Sequence, residues 1–329
     1  MVSPGYIYQR LRRAFEVGRS LSYVDCGADD NCILLTGVAR SGTTWLGGIL
    51  QHATGFRSMF EPYFPLHVRS SGPLGYYPYA NESTDWDELE RFSDRVISGR
   101  IRGRWVDRDN RKCIFKGRIV KEIRLNFILG WLRKHYPRIP IVILVRSPID
   151  VYASWSYLGW LDKKTDEHFS MQRLLFDRRF NTAYPEVIKF WNQQQFSATS
   201  FSQFIFDWYL SYAVPMHELS SDDYLLIGYE DLVGDFDNQI NRLAQYLGLD
   251  LNLTDLVPFS KESSSTDFGN RGVIRDYQKK MLIDYLKDSG EWDKADSLLH
   301  QLSNRGLSEF ISTPALVLRQ NDAISILST

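Results

Sequence analysis

Short apolar runs alternate along this chain with stretches in which apolar residues recur every three or four positions. Runs at 33–38, 113–120, 141–145 and 224–229 predict strands, and the longer period predicts helices over 122–135, 147–157, 203–219 and 236–247. A further helix is expected through Trp45, Leu46 and Leu50, directly after the first strand. Ile33, Leu34 and Leu35 show no polar alternation, which suits a strand buried on both faces. The alternation of the two periods predicts an α/β fold, a parallel sheet with helices on both faces and its ligand at the carboxyl ends of the strands. No internal repeat is found, and the whole of 1–329 is read as one domain.

The first strand runs into Gly37-Val-Ala-Arg-Ser-Gly42-Thr43-Thr44. This is GxxxxGTT, one residue away from the phosphate-binding pattern GxxxxGK[ST], so the sheet is P-loop-like. The two glycines permit backbone conformations closed to other residues and let the main chain approach a ligand. Ser41, Thr43 and Thr44 are expected to cap the following helix, whose first amides point at an anion. Thr43 stands where a nucleotide kinase has lysine, and no apolar strand ending in a magnesium-holding acid is evident. Arg40 supplies instead a planar cation able to grip phosphate or sulfonate oxygens in two places. A small-molecule kinase and a non-catalytic nucleotide-binding module stay open on these residues alone.

The string VARSGTTWL resembles the 5′-phosphosulfate loop of the sulfotransferases that use 3′-phosphoadenosine 5′-phosphosulfate (PAPS), in the arginine form of carbohydrate and bacterial members. A second string, IVILVRSPIDVYAS over 141–154, is similar to the family's 3′-phosphate segment: a strand, an arginine, a Ser-Pro helix start and a serine eight residues on. The resemblance implies donor binding by Arg40, Ser41, Gly42, Thr43, Thr44 and Trp45 at one end and by Arg146 and Ser154 at the other. YLLIGYEDLV resembles the strand whose tyrosine lies near the adenine, which implies Tyr229. NRGVIRDY over 270–277 resembles the closing RKGxxGDW loop, retaining Arg271 and Gly272 but departing at Asn270, Arg275 and Tyr277. Ser264, Ser265 and Thr266 are further hydroxyls for the nucleotide or a serine-rich turn. No metal is implied, because Arg40, the loop amides and Lys121 supply the charge stabilisation.

Transfer to a hydroxyl needs a base. Glu61 in MFEPYF matches an FEP sequence whose glutamate is the candidate base in carbohydrate sulfotransferases. Cytosolic relatives use the histidine of a Lys-Thr-His segment, whose counterpart here is read as Lys116-Gly117-Arg118, without histidine. His52 and His67 are the rivals nearby. The acceptor implied is a carbohydrate or glycolipid hydroxyl, and the basic residues between Arg95 and Arg124 suit an anionic acceptor or a solvated surface equally. The stretches 66–85 and 162–201 are read as excursions shaping the acceptor side. Trp155, Tyr157 and Trp160 are candidates for stacking on sugars or for core packing.

With 43% hydrophobic and 24% charged residues, the chain can bury a full core, and its formal charge of −1 leaves no global field for nucleic acid. Three cysteines without metal-ligand spacing point to a reducing, cytoplasmic setting. Residues 1–30 read as a helical lead-in with Arg10, Arg12, Arg13 and Arg19, without a signal peptide or membrane span and with at most peripheral membrane contact. Residues 315–329 are expected to form a strand-like or disordered tail.

Overall fold

The computed structural model describes residues 23–25, 31–161, 172–194, 200–251, 253–256, 276–304, 316–318 and 324–326. Five parallel strands form the central sheet: β1 (Cys32–Gly37), β2 (Arg57–Phe60), β3 (Arg118–Lys121), β4 (Ile141–Val145) and β5 (Tyr224–Gly228). Their order is β2-β3-β1-β4-β5, so the strand leading into the glycine loop lies at the centre, with Leu35 opposite Lys121 on one side and Val142 on the other.

The main helices are α1 (Thr43–Thr54), α2 (Asp87–Ile97), α3 (Leu129–His135), α4 (Pro148–Tyr157), α5 (Phe201–Glu218), α6 (Phe236–Leu247), α7 (Asp276–Asp288) and α8 (Glu291–Asn304). Alternate strand residues feed two separate cores. Ile33, Leu35, Val142 and Leu144 pack with Leu46, Ile49 and Leu50 of α1 and Ile240 and Leu243 of α6. Leu34, Ile141, Ile143 and Val120 pack on the other side with α2, α3, α5 and, through Leu298 and Leu299, α8. The sheet is thus covered on both faces, as the unbroken apolar runs require. No helix among the described residues is long and apolar enough to cross a membrane.

Four details differ from the sequence expectation. The run at 113–120 is two strands: Ile114–Phe115 pairs with Val24–Asp25, and only Arg118–Lys121 joins the sheet. They part at Gly117, where a Cβ would stand 2.7 Å from the Phe56 ring and 2.9 Å from the Asn31 carbonyl. Strand β2 was not expected, because Arg57 and Ser58 interrupt its apolar pattern. The helix over 122–135 is a 3₁₀ turn at Leu125–Ile128 followed by α3, which leaves Glu122, Ile123 and Arg124 outside it. The last predicted strand ends one residue early, and Tyr229 begins a short helix, Tyr229–Gly234. Of the lead-in, only 23–25 lie among the described residues; of the 162–201 stretch, 172–194 form three short helices, and in the tail Leu316–Leu318 pairs antiparallel with Ile324–Ile326.

Candidate active site

The loop after β1 is forced into its shape by neighbours on three sides. A Cβ at Gly37 would stand 2.4 Å from the Leu144 carbonyl, and one at Gly42, whose φ is 99°, would enter the Tyr229 ring at 2.6 Å. Arg40 sits between them with φ 73°, a left-handed conformation that costs a non-glycine residue on the order of 1 kcal/mol or more. Contrary to the expected hydroxyl cap, the N-cap of α1 is Gly42 and no side chain caps the helix. The amides at the start of α1 are left for an external acceptor, the arrangement that binds phosphates elsewhere.

Strand β4 delivers the second cluster beside the first. Arg146 Nη1 donates to the Arg40 carbonyl at 3.3 Å, and Arg40 Nε donates to Ser154 Oγ at 2.9 Å. Tyr229 lies under both, with the Arg146 guanidinium 4.2 Å from its ring centre and Trp45 edge-on at 5.5 Å. Pro148 occupies the first turn of α4, but the Ser147 hydroxyl does not cap it. The carbonyls of the two loops are held from behind: Trp155 Nε1 donates to Ala39, Trp208 Nε1 to Arg146, and Tyr212 donates to Leu144 while accepting from the Val38 amide. Trp155 is therefore a buried clamp on the loop and not a sugar platform. Trp208 and Tyr212 escaped the sequence reading, since within α5 they look like core aromatics.

The electrostatics of this cluster call for an anion. Burial, and next the charge of Arg146, push the Arg40 guanidinium below its ordinary value. Among the described residues neither Arg40 nor Arg146 is within ion-pair distance of a carboxylate. Arg146 Nε and Ser147 Oγ are buried without hydrogen-bond partners. Two adjacent guanidiniums, orphan donors and uncapped helix amides form a cradle that a phosphate-bearing ligand would fill.

A third cluster stands at the ends of β2 and β3. Glu61, the only non-glycine residue besides Arg40 with positive φ among the described residues, turns the chain at 43° and donates its amide to the Lys121 carbonyl at 2.8 Å. Its Oε1 accepts from Lys121 Nζ at 2.7 Å and its Oε2 from Arg124 Nη1 at 3.1 Å, with all three side chains buried. Burial pushes the Glu61 carboxyl up, but Lys121 and Arg124 together outweigh it and hold the group below the usual carboxylate range. Arg124 is shared with Glu122, whose Oε2 accepts from the Tyr63 amide. Lys116-Gly117-Arg118 lies at the amino end of β3, away from these groups, and the residues at its carboxyl end beside Glu61 are Lys121-Glu122-Ile123, again without histidine.

Lys121, Thr44 and Trp45 open onto a cleft of about 1950 Å³ that His52, His67 and the segment 101–112 also line. His67 stacks on Trp105 at 3.7 Å. Partial burial, outweighing the charge of Glu61, depresses its pKa, so its ring is neutral near pH 7. Arg271, Gly272 and the serines at 264–266 lie outside the described residues. The chain returns nearby, with Lys279 of α7 paired to Asp150 in the first turn of α4 at 3.1 Å. No group of three or more His, Cys, Asp or Glu side chains able to hold a metal occurs among the described residues.

The profile of the sulfotransferase family matches residues 32–253, well over half of the chain. The chain belongs to the sulfotransferase family. The match runs from β1 to just beyond α6 and so includes all three clusters of this sulfotransferase. Solved structures similar to it include a sulfotransferase from Alicyclobacillus acidocaldarius, at 15% identity over 86% of this chain and 99% of that chain, TM-score 0.38. Mouse sulfotransferase SULT7A1 complexed with PAP is 16% identical over 89% of this chain and 91% of its own, TM-score 0.41. Retinol dehydratase in complex with androsterone and inactive cofactor PAP is 14% identical over 85% and 82%, TM-score 0.38. None of the curated protein sequences matches significantly. At such scores the structural likenesses carry nothing further, and membership rests on the family profile.

Proposed function

We propose that this sulfotransferase uses PAPS as donor and a hydroxyl of a carbohydrate or glycolipid as acceptor, by in-line displacement. The observation that carries the donor reading is the contact between the two arginine clusters: Arg40 reaches Ser154 at 2.9 Å, and Arg146 reaches back to the Arg40 carbonyl. Two anion sites on neighbouring strands, with Tyr229 beneath both, suit one adenosine carrying phosphate at two positions. Bound there, the donor supplies an electrophilic sulfur and a phosphate leaving group. The α1 amides and Arg40 hold the 5′ end and stabilise the negative charge that collects on the leaving oxygen. Arg146 and Ser154 hold the 3′-phosphate, and Tyr229 positions the base.

Glu61 is assigned as the group that takes the proton of the acceptor hydroxyl, with Lys121 fixing its carboxylate and facing the cleft. A specific observation favours a second reading: His67 lines the cleft with a neutral ring, whereas Glu61 stands behind Lys121. A cytoplasmic setting fits the small number of cysteines.

A thermal-shift comparison tests the donor. 3′-Phosphoadenosine 5′-phosphate (PAP) in the presence of EDTA should stabilise the protein by about 2.7 kcal/mol at a hundredfold excess over Kd. Stabilisation by magnesium-ATP with none by PAP would overturn the reading in favour of a kinase-like site.

A further inference from the structure

Strands β1 and β4 stop pairing where the two anion loops begin. The Leu34 amide donates to the Pro140 carbonyl at 3.0 Å, and a parallel ladder steps by two residues along each strand. Its rung at the end of the strands would therefore join the Val38 amide to the Leu144 carbonyl. Both groups bond the Tyr212 hydroxyl, which accepts from Val38 at 3.2 Å and donates to Leu144 at 3.1 Å. A side chain of α5 thus stands between the two main chains, at the point where one goes on to Arg40 and the other to Arg146. Gly37 leaves room for the Leu144 carbonyl there, since a Cβ on it would stand 2.4 Å from that oxygen.

Helix α5 is tied to both strands. Pro215 lies inside it and has no N–H, so the Ser211 carbonyl four residues earlier loses its helical donor. Asn126 Nδ2 donates to that carbonyl at 2.7 Å, and Asn126 Oδ1 accepts from the Thr36 hydroxyl of β1 at 2.6 Å. On the β4 side, Trp208 Nε1 donates to the Arg146 carbonyl at 3.1 Å, and its ring meets that of Tyr212 edge-on at 5.1 Å. Tyr212 is fully buried, and burial pushes the pKa of its hydroxyl up, so the proton given to Leu144 stays in place at neutral pH.

We propose that Tyr212 is a positioning residue: its hydroxyl holds the ends of β1 and β4 apart and so sets the spacing of the Arg40 and Arg146 sites, which makes the protein prefer an adenosine phosphorylated at both 3′ and 5′ positions over one phosphorylated at 5′ alone. This rests on the PAPS reading and names the residue behind its donor selectivity. Once one end of the nucleotide is held, capture of the other is intramolecular, and the gain is realised only where the two sites match the span of the ligand. Without the hydroxyl, the buried Val38 amide and Leu144 carbonyl lack partners unless they close on each other, which draws the loops together.

The test is Tyr212→Phe in the full chain, which keeps the ring and removes one oxygen, with calorimetric titration of PAP and of adenosine 5′-phosphate. PAP affinity should fall about tenfold or more while that of adenosine 5′-phosphate stays within about threefold, so the preference for two phosphates shrinks. A purely structural role would lower Tm with the preference intact, or weaken both ligands by the same factor; either result would overturn the proposal. Pro215→Ala is the second variant and decides alone if the first does not fold. It returns the N–H to the helix, competes with Asn126 for the Ser211 carbonyl and loosens the tie to Thr36, so the preference should shrink although the helix itself is strengthened. An unchanged preference there would also overturn the proposal. A wild-type protein that does not bind PAP would overturn the donor reading and this inference together, whereas wild-type PAP binding with an unchanged preference in the variants would overturn the role of Tyr212 alone.

Discussion

Replacing Glu61 by Gln keeps the shape of the side chain and removes the charge that Lys121 and Arg124 share. Arg124 retains Glu122 at 3.2 Å, but Lys121 loses the carboxylate that meets it at 2.7 Å, and its side chain is almost fully buried. Removing one partner of a buried pair costs about 3–5 kcal/mol, so Tm should fall by roughly 6 °C or more, at about 2 °C per kcal/mol for a chain this long. The sign of the pH effect follows from the lowered pKa. The folded value lies below the unfolded one, so the contribution is complete above the unfolded carboxylate range, about 4.3, and is lost as pH falls through the folded value. Stability and chemistry are separable by single-turnover assay with labelled donor on variant protein that is folded and still shifted by PAP. If Glu61 takes the acceptor proton, turnover should drop by about 10²–10⁴. In the wild type the rate should then stay level down to the carboxylate range, whereas His67 as base would make it fall as pH drops through a value below about 6.5. A folded Glu61→Gln protein turning over within threefold of wild type would refute the catalytic assignment and leave Glu61 as the counter-ion that positions Lys121.

Arg40→Gly should leave Tm within about 2 °C of wild type, because glycine accepts φ 73° without strain while loosening the unfolded chain, yet labelled-donor transfer should vanish. Retained transfer would show that the guanidinium is dispensable. Gly42→Ala should destabilise by about 1–3 kcal/mol in urea melts and abolish the PAP shift, since the new methyl would occupy space held by the Tyr229 ring. A normal PAP shift would remove Tyr229 from the donor site. Far from this site, burial pushes the Glu218 carboxyl up to about 7 despite the hydroxyls of Tyr79 and Tyr184 donating to its Oε1. A raised folded pKa gives a contribution present below the unfolded value and lost as pH rises through about 7. The Glu218 contribution to wild-type Tm should therefore decline from about pH 4.5 to 7 and level off above that, and Glu218→Gln should remove that decline; an unchanged slope would refute the assignment.

The residues legible from sequence were those whose chemistry is local. Gly37 to Thr44 and Arg146 to Ser154 each sit within one strand-loop-helix unit, and parallel strands bring such loops to a common edge, so their meeting followed from the fold class. What escaped is polar and paired at long range. Arg57 looks like a surface residue that breaks a strand, and it is fully buried because Asp107 and two carbonyls, more than forty positions away, satisfy its guanidinium. Glu61 and Lys121 are 60 residues apart, and their pairing exists only because β2 and β3 are neighbours in register, Phe60 opposite Lys121. The same reasoning divides the basic run from Arg95 to Arg124, which reads as one charged stretch. Arg118 and Arg124 are buried and tied to carbonyl or carboxylate, Lys121 pairs with Glu61 and lines the cleft, and Arg102, Arg104 and Arg108 line the cleft's other side. Periodicity reports where apolar surface is hidden; it is blind to cations whose partners the topology supplies. For this chain the sheet order, more than the charge count, turns a basic run into structural ties, one buried lysine beside Glu61 and one wall of the cleft.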